Sequence, residues 1–196
     1  PELYNLQSHE IWAFHEAFAD CIAIINILLY EKAIERILEE TKGNLNNHIG
    51  VPLTIFNLTE AHDVAIIEMG MNHPGEITEL CSIAKPEHGM ITNIGAAHIE
   101  FMKSMENIFL EKSSLYKAVL INSKGEGSFV VNADDTFLAK LEVSNGLTTY
   151  GENNGQIKVT INSPEIKFTF NNKEMLITNK NISEHHNLKN LAGTSI

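Results

Sequence analysis

Apolar positions recur at intervals of three and four from Ser8 to about Thr41, through Ile11, Phe14, Phe18, Ile22, Ile25 and Leu29, with no Gly or Pro between them. This period predicts one long helix, or two in line, ending at Lys42-Gly43. The next segment, 43–50, is dense in Asn and Gly and carries no apolar period, so it reads as a loop rich in amide side chains. Beyond it the pattern alternates. A short helix is expected over 51–58, a buried strand over 63–68, a helix over 75–84 and a strand over 88–93. A helix over 104–120, a strand over 128–132 and a helix over 135–143 follow. Strands separated by helices of this length make βαβ units, hence a mostly parallel α/β sheet flanked by helices.

The tail changes character. Runs at 156–161, 165–170 and 174–178 alternate apolar with polar residues and are joined by Asn-Ser-Pro and Asn-Asn-Lys, which predicts a small antiparallel β meander spanning about 155–180. A last helix begins near His185 and is still in progress at Ile196.

Composition narrows the function classes. With 196 residues and 43% hydrophobic positions the chain is long enough to bury a core without staples. Its formal charge of −11 excludes a general nucleic-acid or membrane-surface binder, which needs a positive field. Arg36 is the only arginine, so an anion site must be built from lysine, backbone N–H groups or a metal. Cys21 and Cys81 show no disulfide or zinc spacing, and the most apolar run is too short to span a bilayer. A cytoplasmic protein is expected.

In open parallel sheets, ligands gather beyond the carboxyl ends of the strands. Three expected strands have polar ends there: Glu68, Asn93 running on to His98, and the Asn132-Ala133-Asp134-Asp135 turn. Glu68 follows an apolar run directly, at the rim of the core, where an ionised carboxylate must be paired or bound to a cation; a helix cap or a salt bridge satisfies it equally. His98 alone reads as a solvated loop residue, and Lys112 as a surface lysine beside Glu111.

Taken in order, these blocks resemble the central, ATP-binding domain of the Mur ligases. The motif text is 41–54 (TKGNLNNHIGVPLT), Glu68-Met69-Gly70, 73–77 (HPGEI), 91–100 (ITNIGAAHIE) and 186–190 (HNLKN), so the resemblance covers about residues 41–196. It implies that Glu68 and His98 ligate Mg2+ near the phosphates of ATP. It implies that Lys112, fourteen residues past His98, becomes a carbamate able to hold a second metal. That role requires desolvation, because CO2 adds to a neutral amine. Asn132, Asp134 and Asp135 resemble the nucleotide-side turn, Asn187 and Asn190 the amides that read adenine, and Asn44, Asn46 and Asn47 the contacts to a UDP-sugar-peptide. The implied reaction passes the γ-phosphate of ATP to the carboxylate of UDP-MurNAc-tripeptide, and the amine of D-Ala-D-Ala then displaces phosphate. Divalent cations would neutralise the charge that gathers on the oxygens.

The sequence departs from that family in two places, and the family's first core strand is expected to be missing with them. No phosphate loop of the form GxxGKT occurs anywhere in it, and residues 1–40 read as a non-matching helical segment. An impaired or degenerate ligase fragment, unable to complete the ligation alone, is one expectation. The other is a non-catalytic structural or interaction module whose first helix covers an open sheet edge or self-associates. That helix also bears superficial likeness to the third-ligand helix of thermolysin-like peptidases, with His9, Glu16 and Asp20 on one face, but Ala13 breaks the HExxH pattern. A fused or mis-spliced fragment, or an engineered chimera, would explain that junction at Thr41 better than divergence.

Overall fold

The computed structural model describes residues 22–23, 37–40, 45–141, 146–162, 165–178, 189–190 and 193. The strands are β1 (Ile22–Ala23), β2 (Ile37–Glu40), β3 (His62–Ile66), β4 (Glu68–Met69), β5 (Gly89–Ile91), β6 (Phe129–Asn132), β7 (Leu147–Gly151), β8 (Ile157–Asn162), β9 (Glu165–Phe170) and β10 (Lys173–Thr178). The helices are α1 (Gly50–Phe56), α2 (Glu76–Ala84), α3 (Ile99–Met102), α4 (Met105–Lys112) and α5 (Ser114–Asn122). Eight strands form one sheet in the order β10-β9-β8-β7-β6-β5-β1-β4, and β2 pairs with β3 in a second, two-stranded sheet.

Strands β5, β6, β7 and β8 run parallel to one another. Strand β1 is antiparallel to both β4 and β5, so β4 runs parallel to β5. The carboxyl ends of β4, β5, β6 and β7 therefore share one lip of the sheet. Strands β8, β9 and β10 form the expected antiparallel meander, and pairing of Tyr150 with Ile157 joins it to the parallel strands.

Both faces are buried, and strand alternation assigns each side chain. Ile91, Phe129 and Val131 enter a cluster with Ile77, Leu80, Ile108, Leu115 and Val119 from α2, α4 and α5. Their neighbour Met90 faces the other way, into a cluster with Tyr150, Val159, Ile166 and Phe168. On that second face Gly193 sits so close that an added Cβ would lie 2.2 Å from the Met90 methyl and 2.6 Å from the Tyr150 hydroxyl. A larger residue there would have to push those two side chains aside.

Local chemistry fixes the helices that frame the lip. The Ser104 hydroxyl accepts from Asn107 N–H at 3.1 Å and caps α4. Helix α2 stops at Lys85, which adopts a left-handed φ of 48° and donates its N–H to the Cys81 carbonyl, with Pro86 next. The helix expected over 104–120 is present as α4 and α5, which meet at Ser113.

Three expectations are corrected. The long helix over 8–41 does not hold where the structure describes it, since Ile22–Ala23 and Ile37–Glu40 are strands. Pairing with β4, β5 and β3 satisfies their backbone groups and places Ile22 and Ile37 in a sheet, which overrides a helical period. The edge beside β3, expected to lie open or beneath a helix, carries β2 in parallel pairing. The remaining residues before 45 lie outside the described ones, the His9, Glu16 and Asp20 face included. Finally, where the structure describes the helix expected over 135–143 it shows a single 3-10 turn, Leu138–Lys140, with the Asp135 carboxylate accepting from the N–H groups of Phe137 and Leu138 at its start. The strand β7 was not expected at all, although Gly146 and Gly151 bracket its Leu-Thr-Thr-Tyr run.

Candidate functional site at the carboxyl ends of the strands

Glu68 opens β4, directly after buried Ile67, and its Oε1 accepts from Asn46 Nδ2 at 2.8 Å. The Asn46 carbonyl also accepts from Gly70 N–H at 2.8 Å. One asparagine thus ties the amide-rich loop to the end of β4, and a Cβ on Gly70 would lie 2.8 Å from the Asn46 side chain. Asn47 does different work. Its Oδ1 accepts from the N–H groups of Ile49 and Gly50 and starts α1.

Past β5 the chain turns through Thr92 to His98. The Asn93 carbonyl accepts from Lys112 Nζ at 3.3 Å, and Ile94 N–H donates to Asp135 Oδ2 at 2.8 Å. The loop is therefore held from two sides. His98 is exposed and takes a left-handed φ of 55°, a conformation that costs a non-glycine residue about 1–3 kcal/mol. It starts the one-turn helix α3, which ends at a second positive φ, 72° at Lys103. Both ends of this short element thus carry positive φ. The adjacent loop contributes His73, whose ring lies 4.9 Å from that of Phe101 and pairs with Glu76.

Lys112 is 2% exposed and Glu111 8% exposed, so the expected surface lysine beside an acid is instead a buried pair of neighbours. The Glu111 carboxylate bonds to backbone N–H groups at the start of α2. Its Oε2 accepts from Gly75 N–H and its Oε1 from Ile77 N–H, both at 2.8 Å, which caps α2 from a different helix. Glu111 was missed as a site-building residue, yet its signal was in the sequence. Ile108, Glu111, Lys112 and Leu115 fall at i, i+3, i+4 and i+7, on the inward stripe of the helix. Glu111 also adds its charge to the effect of burial on Cys81, whose thiol is pushed up to about 12. That thiol is free, buried and not a nucleophile at neutral pH.

The end of β6 is built from amide and carboxylate groups already engaged. Asn132 is buried and its Oδ1 accepts from Asp134 N–H at 3.0 Å. Asp134 accepts from Lys189 Nζ at 2.8 Å, and Asn190, next along, is buried. Asn44 and Asn187 lie outside the described residues. Burial alone would raise the Asp134 carboxyl, but hydrogen bonds from Lys189 and from the N–H groups of Glu152 and Asn154 outweigh it and hold it at about 2 against an ordinary 3.8. A depressed folded-state value stabilises the fold above the unfolded value and loses that contribution as pH falls toward the folded one. Chemical denaturation between pH 4 and pH 2 is expected to show a falling midpoint, and Asp134→Asn should flatten that fall.

Glu68, the Asn93 to His98 turn, Asn132, Asp134 and Asp135 thus stand along one lip, with Lys112 reaching into its middle. Among the described residues no group of three or more His, Cys, Asp or Glu side chains is placed to hold a metal. Magnesium does not require one, because it is commonly held by one or two protein carboxylates with phosphate and water completing the shell. Glu68 offers the hard oxygen that this mode uses. A cleft of about 260 Å³, lined by Asp63, Val64, Lys85 and His88 among others, lies at the opposite, amino-terminal end of β3 and β5. No helix among the described residues is long and apolar enough to cross a membrane.

A mostly parallel sheet, helix-covered, with polar strand ends along one lip, defines the open α/β class of ligand-binding domains. A family model described as the Mur ligase middle domain matches residues 13–196, and the chain belongs to that family. This match reaches further toward the N-terminus than the motifs that begin at Thr41. The chain is 40% identical over 95 residues to the UDP-N-acetylmuramoyl-tripeptide--D-alanyl-D-alanine ligase of Escherichia coli K12, covering 48% of this chain and 20% of that enzyme. With the same ligase of Haemophilus influenzae it shares 35% identity over 127 residues, covering 64% of this chain and 27% of that enzyme. Among solved structures, MurF from Acinetobacter baumannii superposes with a TM-score of 0.73 at 26% identity, over 83% of this chain and 36% of that one. The MurF ligase of Thermotoga maritima in complex with ADP superposes with a TM-score of 0.68 at 26% identity, over 82% of this chain and 38% of that one. The chain spans about a quarter of the length of these two curated relatives.

Proposed function

We propose that this chain is the nucleotide- and metal-facing part of an ATP-dependent amide ligase of peptidoglycan precursor synthesis. In this reading the whole enzyme joins D-Ala-D-Ala to UDP-MurNAc-tripeptide through an acyl phosphate, and the chain does not complete the ligation alone. The observation that carries it is Lys112. In a protein with a single arginine, a lysine 2% exposed and anchored to the Asn93 carbonyl at the lip is an expensive feature for stability alone. Burial of that degree suits carbamate formation: the ammonium first loses a proton, the neutral amine nitrogen bonds to CO2 carbon, and a second N–H proton leaves, so that a cation is exchanged for an anion with two protons released.

Glu68, His98 and the Lys112 carbamate would hold Mg2+, which when bound would offset the negative charge of the phosphate oxygens. Each side chain has a separate task. The Asn46 amide aims the Glu68 carboxylate, and the Asn93 carbonyl orients the Lys112 amine. Asn190, and Asn187 with it, would accept the adenine edge, while Asn44, Asn46 and Asn47 would face the UDP-sugar-peptide. The MurF ligase of Thermotoga maritima, a neighbour of the same fold, is in complex with ADP, which supports the nucleotide.

Calorimetric titration with Mg-ATP tests this. Measurable binding that Glu68→Ala abolishes, by more than about tenfold in affinity, is the expected result. A second reading draws on the missing GxxGKT loop, whose N–H cradle and lysine normally hold the β- and γ-phosphates. If Mg-ATP gives no heat and Glu68→Ala changes nothing, the chain is a non-catalytic module on this scaffold.

A further inference from the structure

Asp134 is placed by resemblance on the nucleotide side, yet its hydrogen bonds leave it nothing to offer a nucleotide. Its Oδ1 accepts from Asn153 N–H at 3.1 Å, Asn154 N–H at 2.9 Å and Asn154 Nδ2 at 3.3 Å. Its Oδ2 accepts from Glu152 N–H and from Lys189 Nζ, each at 2.8 Å. A carboxylate has about four lone-pair sites, and five donors already converge on this one. The side chain is 9% exposed.

The three donors from consecutive backbone N–H groups wrap the carboxylate as such groups wrap an anion. The loop between β7 and β8 is thus closed around a side chain from the end of β6. Gly151 leaves the room for it, since a Cβ there would lie 2.9 Å from the Asp134 carboxyl. Lys189 brings in the third partner, the segment that carries buried Asn190 and then Gly193, which lies against Tyr150 and Met90. Beneath that contact the Tyr150 hydroxyl is buried with no hydrogen-bond partner among the described residues. The segment's attachment is apolar at Gly193 and charged at Lys189. Glu152 adds a weaker hold, its Oε2 lying 4.0 Å from Lys189 Nζ.

We propose that Asp134 is a positioning residue: it locks the 152–154 loop and, through Lys189, holds the Asn190 segment against the ends of β6 and β7, without touching nucleotide itself. This inference rests on the nucleotide reading above for its consequence, though not for its geometry. Asp134→Asn puts an N–H2 where N–H donors already crowd, and Lys189→Met removes the charge while leaving the loop's three backbone bonds in place.

The full chain is titrated with Mg-ADP and followed by amide hydrogen exchange in the absence of nucleotide. Each variant is expected to weaken Mg-ADP binding on the order of tenfold, with the double variant no weaker than the poorer single one. Lys189→Arg should recover most of the loss of Lys189→Met, which mere loosening of the fold would not allow. Exchange should quicken at 152–154 and 189–193 in Asp134→Asn, and at 189–193 alone in Lys189→Met, with α4 unchanged. Wild-type affinity in both variants, or unaltered protection at 189–193, overturns the proposal. Should the wild-type chain bind no Mg-ADP, the nucleotide reading falls, and the exchange pattern alone decides whether Asp134 holds the segment. If Asp134→Asn does not fold, Lys189→Met and its arginine rescue carry the decision.

Discussion

Replacing Glu111 with alanine is expected to destabilise the fold by about 3 kcal/mol, a large share of the roughly 5–15 kcal/mol that holds a domain together. Two charge-assisted hydrogen bonds vanish at once, to Gly75 and Ile77. The Ile77 N–H is buried with its residue, so no water replaces the acceptor, and an orphaned buried donor costs the full desolvation of that group. The first turn of α2 loses its anion as well, leaving Glu76 and Glu79 as its nearest acids. Glu111→Gln retains one good acceptor and should cost about half as much. Urea denaturation followed by circular dichroism separates the two. A Glu111→Ala midpoint within error of wild type would mean that α2 is not capped this way in solution.

At Lys112 the size of the effect should depend on shape before charge. Lys112→Ala removes a long chain from a site closed on all sides and is expected to cost about 2–4 kcal/mol, as other large-to-small changes in cores do. Lys112→Met fills the same volume and should stay within about 1.5 kcal/mol of wild type. The chemical readout then separates from the structural one. With carbon-13 bicarbonate, the wild-type chain should show a carbamate resonance that Lys112→Met lacks, while the methionine variant remains folded. Absence of that resonance from wild type across neutral and mildly alkaline pH would remove Lys112 from any carbamate chemistry. It would leave the lysine as a strut between α4 and the Asn93 turn.

Much of the candidate site was legible because its residues sit at strand ends. The buried run before Glu68, the polar turn after β5 and the Asn-Ala-Asp-Asp turn after β6 announce themselves in one dimension, since a strand's end is a local event. Partners were not legible. Asp134 reaches Lys189 across 55 positions and Asp135 reaches Ile94 across 41, and no local period encodes which carboxylate meets which donor. For the same reason the sequence does not show that backbone N–H groups engage both acids and that Lys189 engages Asp134 as well. The segment before the amide-rich loop misled in the opposite direction. Its three-and-four spacing was real, but Ile22 and Ile37 answer to neighbouring strands, and isolated helices owe most of their stability to packing they must first find.

By itself, the sequence determined the class of domain, the order of most elements and which strand ends are polar, because burial period and strand-end polarity are written in neighbouring residues; the family was legible in the motif text from Thr41 onward. The tertiary structure alone decided that Lys112 is buried rather than solvated, that Glu111 caps a helix 34 residues away, and that β1 slots antiparallel between β4 and β5. These are outcomes of long-range contact, in which each group takes the partner that spares it an unpaired burial, and that choice exists only once the chain has closed on itself.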